Sequence, residues 1–162
     1  MMISEKMSKA LNKQVTNEFH ASFTYLAMAL SFHDMGLKVF AKRFYDQANE
    51  EREHAEKILR YLQEVGAEAR LEGIEKPKGD YKTVTEIVKA ALEAELTVTK
   101  QIHDLVTLAE SEKDYATRSF LRWFVDEQVE EVSSMQELLQ MVEMAGDKHL
   151  FFVEARLAAA GK

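Results

Sequence analysis

The chain has 162 residues, of which 46% are hydrophobic and 30% are charged, with six Gly, one Pro and no Cys. This length fits one domain with a sizeable core, and the scarcity of Gly and Pro favours long helices over a turn-rich β fold or a disordered chain. The formal net charge of −7 argues against nucleic-acid or anionic-membrane partners, because both need clustered Lys and Arg.

The helix breakers leave long intervals that contain neither Gly nor Pro, and these intervals predict helices. We place all of them in a single domain that spans residues 1–162. The four long helices and the short fifth helix are predicted at residues 4–34, 37–65, 83–112, 115–145 and 148–159.

The connections between these helices predict how they pack. Helices one and two, and likewise three and four, are joined by only a few residues, which makes each pair antiparallel neighbours. The middle connection, residues 66–82, reaches about 55 Å when extended, enough to run the length of a bundle. The predicted fold is therefore all-α: a four-helix bundle with one long crossover connection and a short fifth C-terminal helix.

The sequence shows no targeting or membrane segment. Residues 1–12 contain no apolar run of signal-peptide length, and no stretch approaches the roughly 18 apolar residues of a membrane span. The lack of Cys suits a reducing compartment. We therefore expect a cytoplasmic protein.

Each long helix carries an apolar stripe at steps of three and four residues, and an acid interrupts each stripe near its middle. In chain order these acids are Glu18, Glu51, Glu95 and Glu131. His54 follows Glu51 by one turn, so the two side chains form a Glu-x-x-His pair that can bind one metal ion. Each acid lies about 12 to 16 residues from the start of its helix, which places all of them at one level of the bundle.

Carboxylates that converge in an apolar core need a cation, because burying an unpaired charge costs at least several kcal/mol. Four carboxylates balance two divalent ions, and two trivalent ions stay balanced if an oxide bridges them. In the absence of Cys, carboxylates and an imidazole favour iron or manganese over Cu(I) or a structural zinc ion. The stripes therefore predict a di-metal centre, with iron as the first choice and manganese left open.

Two aromatic residues near these acids are open to more than one interpretation. Tyr25 lies two turns from Glu18 on the same face and is equally compatible with core packing and with a redox or hydrogen-bonding role. For Trp123, packing is favoured over electron transfer.

The segments that contain the acids resemble the prokaryotic haem-free ferritins, over nearly the whole chain. The matching segments are Asn12 to Tyr25, Gln47 to His54, Val98 to Leu105 and Phe120 to Glu131. The resemblance implies a ferritin-like bundle. Bacterioferritins are similar too, but their haem-binding Met follows the bridging Glu, where this chain has Arg52, so no haem is expected.

The resemblance also implies a set of metal ligands. Glu18, Glu51 and His54 would bind one iron ion. Glu51, Glu95 and Glu131 would bind the second, with Glu51 as the bridge between the two ions.

Further polar residues are implied around this centre. Gln128 would lie close to the two ions, and the family's third iron site would map to Glu50, Glu127, Glu130 and Glu131. These outer acids are also typical of an ordinary solvated face.

The function that the resemblance implies is iron storage with ferroxidase activity. Fe(II) would be oxidised by O₂ or H₂O₂, and the Fe(III) mineral would be stored in a shell of 24 identical subunits. The residues alone support only self-association, because a second apolar stripe, Phe19, Phe23, Leu26 and Leu30, widens the apolar arc of helix one. Two alternatives stay open: a di-metal peroxidase or oxidase without storage, and a non-enzymatic helical interaction module whose polar layer fixes register.

Overall fold

The computed structural model describes residues 1–161 and contains five α-helices. They are α1 (Glu5–Asp34), α2 (Lys38–Glu64), α3 (Val84–Ser111), α4 (Tyr115–Ala145) and α5 (Leu150–Ala160). α1 packs against α2, α3 packs against α4, α1 and α3 join the two pairs, and α5 packs on α2 and α4. The predicted all-α bundle with a short fifth helix is confirmed.

Side-chain caps fix the starts of three long helices. Ser4 Oγ accepts a hydrogen bond from Met7 N at 2.9 Å, and Asp114 Oδ1 accepts one from Thr117 N at 3.0 Å. Thr83 caps α3 in the same way. Each cap satisfies an amide that has no partner inside its helix, so α1, α3 and α4 begin at defined residues.

The start of α2 is capped from another helix. Its N-cap residue, Leu37, has an apolar side chain that accepts no hydrogen bond. Instead, Val39 N and Phe40 N donate to Glu154 Oε1 of α5, at 2.8 and 3.0 Å. A carboxylate at this position also suits the positive end of the helix dipole, so Glu154 both caps α2 and attaches α5 to the bundle.

A buried amide of α1 holds the beginning of the crossover between α2 and α3. Asn12 Nδ2 donates to Glu68 O at 2.9 Å, and Asn12 Oδ1 accepts from Arg70 N at 2.7 Å. Gly66, at the end of α2, has φ of 70°, a conformation that favours Gly. The turn and the amide together direct the chain away from α2 and along α1.

The hydrophobic core consists of two clusters at different heights of the bundle. One cluster includes Phe32, Phe44 and Val88, and the other includes Leu11 and Ile102. Along every long helix the change from one cluster to the other falls at the acid that interrupts the apolar stripe. The acids therefore form a layer between two halves of the core. Within residues 1–161, no helix is long and apolar enough to cross a membrane.

Candidate metal centre

One acid from each long helix reaches the layer between the two clusters. The exposed fractions are 0% for Glu18, 1% for Glu51, 2% for Glu95 and 6% for Glu131. Ligand atoms of Glu18, Glu51 and His54 lie within 4.8 Å of one another, and so do those of Glu51, Glu95 and Glu131. Glu51 belongs to both groups, so the structure brings together all five residues that the stripes single out.

The first half-site consists of Glu18, Glu51 and His54. His54 Nδ1 lies 3.2 Å from Glu51 Oε2 and 4.0 Å from Glu18 Oε2. Glu18 Oε1 accepts a hydrogen bond from Gln14 Nε2 at 2.8 Å, but Glu18 Oε2 has no hydrogen-bond donor among residues 1–161. A buried carboxylate oxygen without a partner is costly, and a bound cation would supply that partner.

The second half-site consists of Glu51, Glu95 and Glu131. Its acid from α3 is held from two sides by neutral donors. Tyr25 Oη donates to Glu95 Oε1, and Gln128 Nε2 lies 3.3 Å from Glu95 Oε2. Tyr25 therefore both packs in the core, edge-on to Phe44, and donates a hydrogen bond to the acid layer, while Gln128 lies beside the centre.

Gln47 links the remaining two acids of the second half-site. Its Nε2 donates to Glu51 Oε1 at 3.0 Å and to Glu131 Oε2 at 2.8 Å. From the sequence we predicted no role for Gln47 or Gln14, although each lies four residues before an interrupting acid of its own helix. That i, i+4 spacing places the amide beside the carboxylate and was the signal that could have identified both.

Burial and mutual repulsion raise the pKa of the acids in this layer. Burial, followed by the charge of Glu51, raises the pKa of Glu95 to about 7. Burial, followed by the charge of Glu95, raises the pKa of Glu131 to about 8. Burial is also the main cause of a pKa well above the ordinary value for Glu18. The centre therefore holds protons in the absence of a cation, and a metal ion must displace them.

For His54, burial and the neighbouring acids change the pKa in opposite directions, and the acids have the larger effect. Burial alone lowers its pKa, but the hydrogen bond and the charge of Glu51, followed by the charge of Glu18, raise the pKa to about 9. In the metal-free protein the imidazole thus carries a proton that partly compensates the acids. A metal ion that binds the imidazole nitrogen must replace this proton.

The outer acids lie on the open side of the centre. Glu50, Glu127 and Glu130 line two cavities of about 610 and 530 Å³, on either side of these side chains. Ligand atoms of Glu127 lie within 4.8 Å of those of His54 and Glu131, whereas Glu50 and Glu130 are exposed and fall outside that group. Glu127 therefore belongs to a ligand group of the buried layer, and Glu50 also approaches that layer, because a hydrogen bond with Glu131 lowers the Glu50 pKa that burial raises.

Trp123 covers the first half-site at the edge of the smaller cavity. Its ring centroid lies 5.3 Å from that of His54 in an edge-on arrangement, and Lys57 Nζ lies 3.9 Å from the ring centroid. The side chain is 38% exposed, so it packs against His54 without closing the centre completely.

Known proteins share this fold and much of this sequence. Residues 8–145 match the ferritin-like domain. The bacterial non-heme ferritin of Staphylococcus haemolyticus is 39% identical over 160 residues, which cover 98% of this chain and 96% of the relative. A solved open pore ferritin from the hyperthermophilic archaeon Archaeoglobus fulgidus is similar with a TM-score of 0.93 and 38% identity, and the match covers 96% of this chain and 97% of that chain.

Proposed function

This chain belongs to the ferritin family, and from that premise we propose that it oxidises Fe(II) at the four-helix centre and stores Fe(III) as a mineral inside a homo-oligomeric shell. The observation that carries the proposal is the buried acid layer, in which two ligand groups share Glu51. The unpartnered Glu18 oxygen supports it, because a bound cation would supply the partner that this atom lacks among residues 1–161. The bacterial and archaeal relatives are themselves named ferritins.

The donor set fits Fe(II) as the substrate. Carboxylate oxygens and one imidazole are hard to borderline ligands, which suit iron. In this proposal Glu18, Glu51 and His54 bind one ion, and Glu51 with two further acids binds the second. Tyr25 holds one of those acids, Glu95, in place through its hydrogen bond. No residue is assigned to haem.

The reaction needs two electrons from the iron pair. Two Fe(II) ions each give one electron to O₂, which takes up two protons and becomes H₂O₂ while the ions become Fe(III). With H₂O₂ as the oxidant, the same two electrons and two protons break its O–O bond and give two molecules of water. The pair of half-sites suits this stoichiometry, because it holds both electron donors within one site.

We extend the proposal to a third iron position and to the assembly. Glu127, with Glu50, Glu130 and Glu131, is assigned to the third position, since Glu127 approaches the buried layer and the other two line its open side. We also propose that the shell has 24 subunits and lies in the cytoplasm, and membership of the ferritin family supports both points. Exposed apolar side chains support burial against other copies: Phe23, Leu26, Leu30, Phe151 and Phe152.

Replacement of Glu51 and His54 by Ala in one double variant tests the assignment of the centre. Rapid Fe(II) oxidation, followed by stopped-flow absorbance, should fall by more than about 100-fold, since the change removes ligands and exceeds the loss typical of supporting residues. Circular dichroism should show an intact helical fold. The control is Glu137→Ala, at an exposed position of α4. Unchanged oxidation kinetics in the double variant would refute the assignment.

Iron content and particle size separate storage from the two alternatives. After aerobic loading, a storage protein should hold many irons per subunit and elute as a large particle. A di-metal oxidase without storage holds at most a few irons per subunit, as counted from the ligand groups. An interaction module would bind no Fe(II) at stoichiometric amounts, which direct titration of the metal-free chain detects.

A further inference from the structure

A chain of amide side chains connects the first half-site to a cavity between α1 and α3. Gln14 is 2% exposed and lies one turn before Glu18 on α1. Its Nε2 donates to Glu18 Oε1 at 2.8 Å. With Asn17 and Gln101, it lines a cavity of about 290 Å³. The hydrogen bond to Glu18 is thus made from a side of the layer that the metal ligands do not occupy.

Two neighbours fix which end of the Gln14 amide faces Glu18. Asn17 Nδ2 donates to Gln14 Oε1 at 3.1 Å, and Gln14 Nε2 lies 3.3 Å from Gln101 Oε1. If the amide were turned round, its oxygen would face the Glu18 carboxylate and its NH₂ group would face the Asn17 donor. With Glu18 ionised, as it is when it binds a metal ion, and with Asn17 in its present orientation, both new contacts would be repulsive. The two neighbours and the metal-bound state of Glu18 therefore favour the same orientation.

This orientation leaves one defined oxygen of Glu18 for a ligand. Gln14 occupies Oε1, while Oε2 has no donor among residues 1–161 and lies 4.0 Å from His54 Nδ1. We propose that Gln14, held by Asn17 and Gln101, is a positioning residue that orients Glu18 so that Oε2 binds the metal ion of the first half-site. The inference rests on the proposed function, since it assumes that this half-site binds a divalent ion.

The size of the effect follows from the general behaviour of such supporting residues. A partner that orients a metal ligand typically changes metal affinity or activity by about 10- to 100-fold when it is removed. Gln14 acts on one ligand only, so its removal should weaken the first half-site and spare the second. Loss of Gln101 should have a smaller effect, because the bond from Gln14 to Glu18 can persist while the amide gains freedom to turn.

Titration of the metal-free full chain with Co(II) measures the metal affinity of the first half-site without an oxidation step. The visible spectrum of the bound Co(II) also reports the geometry of its ligands. Gln14→Met keeps the length of the side chain but has no N–H donor. The variant should bind Co(II) at the first half-site about 10-fold more weakly and with an altered spectrum. Gln101→Met should show a change of a few fold, in the same direction.

The matched control is Lys13→Met, because Lys13 lines the same cavity but is exposed. Its Co(II) affinity and spectrum should equal those of the unchanged chain. In a His54→Ala background, Gln14→Met should add little, since both changes act on the same half-site. An effect of Gln14→Met as large in that background as in the unchanged chain would overturn the proposal.

The outcomes distinguish the inference from the function on which it rests. If the unchanged chain binds Co(II) and oxidises Fe(II) but Gln14→Met has the same affinity and spectrum, the inference is wrong and the function stands. A variant that only loses thermal stability would show a structural hydrogen bond and would also overturn the inference. If Gln14→Met does not fold, Gln101→Met decides. If the unchanged chain binds neither Co(II) nor Fe(II), the proposed function itself fails.

Discussion

The two half-sites share one acid but differ in how their other groups are satisfied before a metal ion binds. In the first, Glu18 keeps one oxygen without a donor, and His54 is the cationic partner. In the second, the acids accept hydrogen bonds from neutral donors: Tyr25, Gln47 and Gln128. The first half-site thus has one acid oxygen without a donor, whereas every acid of the second accepts a hydrogen bond.

This difference predicts unequal affinities. A divalent ion at the first half-site gives the unpartnered oxygen a ligand bond, while it displaces the His54 proton and the contact of His54 Nδ1 with Glu51 Oε2. An ion at the second half-site gains less, because the oxygens of its acids already have hydrogen-bond donors that hold them in place. We therefore expect the first ion to bind at the first half-site and to bind more tightly than the second ion.

Removal of the shared acid should have the largest effect, because both half-sites lose a ligand. Glu51→Gln keeps the side-chain shape but removes the charge that both ligand groups use. Fe(II) oxidation should fall by more than about 100-fold, beyond the loss expected for a supporting residue. Co(II) titration should show both ions weakened.

The control for Glu51→Gln is Asp126→Asn, at an exposed position of α4. Its oxidation rate and both Co(II) affinities should match those of the unchanged chain. One Co(II) ion that still bound with full affinity to Glu51→Gln would show that the half-sites are independent.

The pH dependence of the metal-free protein should report the protons that the second half-site holds. The pKa is about 7 for Glu95 and about 8 for Glu131, both above the ordinary 4.5. Between pH 4.5 and 8 the folded state therefore binds more protons than the unfolded state. The free energy of unfolding should decrease as pH rises, by an amount on the order of a few kcal/mol.

His54 adds to the same trend at higher pH. Its pKa of about 9 lies above the ordinary 6.5, so its stabilising contribution is complete below pH 6.5 and is lost as pH rises through 9. Chemical denaturation at a series of pH values measures the slope. Glu131→Gln should flatten it, and saturating Co(II) should reverse it, since the metal displaces the protons. A slope of the opposite sign in the metal-free chain would show that these acids are ionised.

Loss of a neutral donor should affect the second half-site alone. Tyr25→Phe removes the hydroxyl that donates to Glu95 and keeps the aromatic packing. The weaker Co(II) site should lose affinity by about 10-fold, and the tighter one should not change. Calorimetric titration resolves the two steps. A loss at the tighter site would mean that the order of binding is the reverse of the one inferred from the unpartnered oxygen.

The smallest effect should come from the far end of α2, the helix that contributes ligands to both half-sites. Glu154→Gln removes the charge that caps the first amides of α2 and should lower the free energy of unfolding by about 1 kcal/mol. Both Co(II) affinities should stay the same, because the cap lies more than ten residues before Glu51. A changed Co(II) affinity at either half-site would show that the position of α2 affects metal binding.

The periodicity of the sequence was enough to predict the acid layer. A step of three or four residues fixes which side chains share a helix face, and the rise per residue fixes their height. Those two quantities placed Glu18, Glu51, Glu95 and Glu131 on inward faces at one level. Neither quantity depends on side-chain rotamers. The positions predicted for the four acids therefore agree with the folded protein.

Contacts between helices could not be predicted in the same way. The roles of Gln14 and Gln47 depend on rotamers and on a partner from another helix, and the cap formed by Glu154 depends on where α5 lies. The start of α5 was predicted at residue 148 but is Leu150. A turn closed by His149 N donating to Gly146 O occupies the intervening residues, and helical periodicity does not register it.

The cap on α2 makes the tail of the polypeptide part of its scaffold. Truncation of α5 would strip an anion from the start of the helix that carries Glu51 and His54, and would also uncover the pocket that Val153 and Leu157 fill. Engineers who wish to attach a cargo or a label should therefore extend the chain beyond Ala160 and leave the whole of α5 untouched.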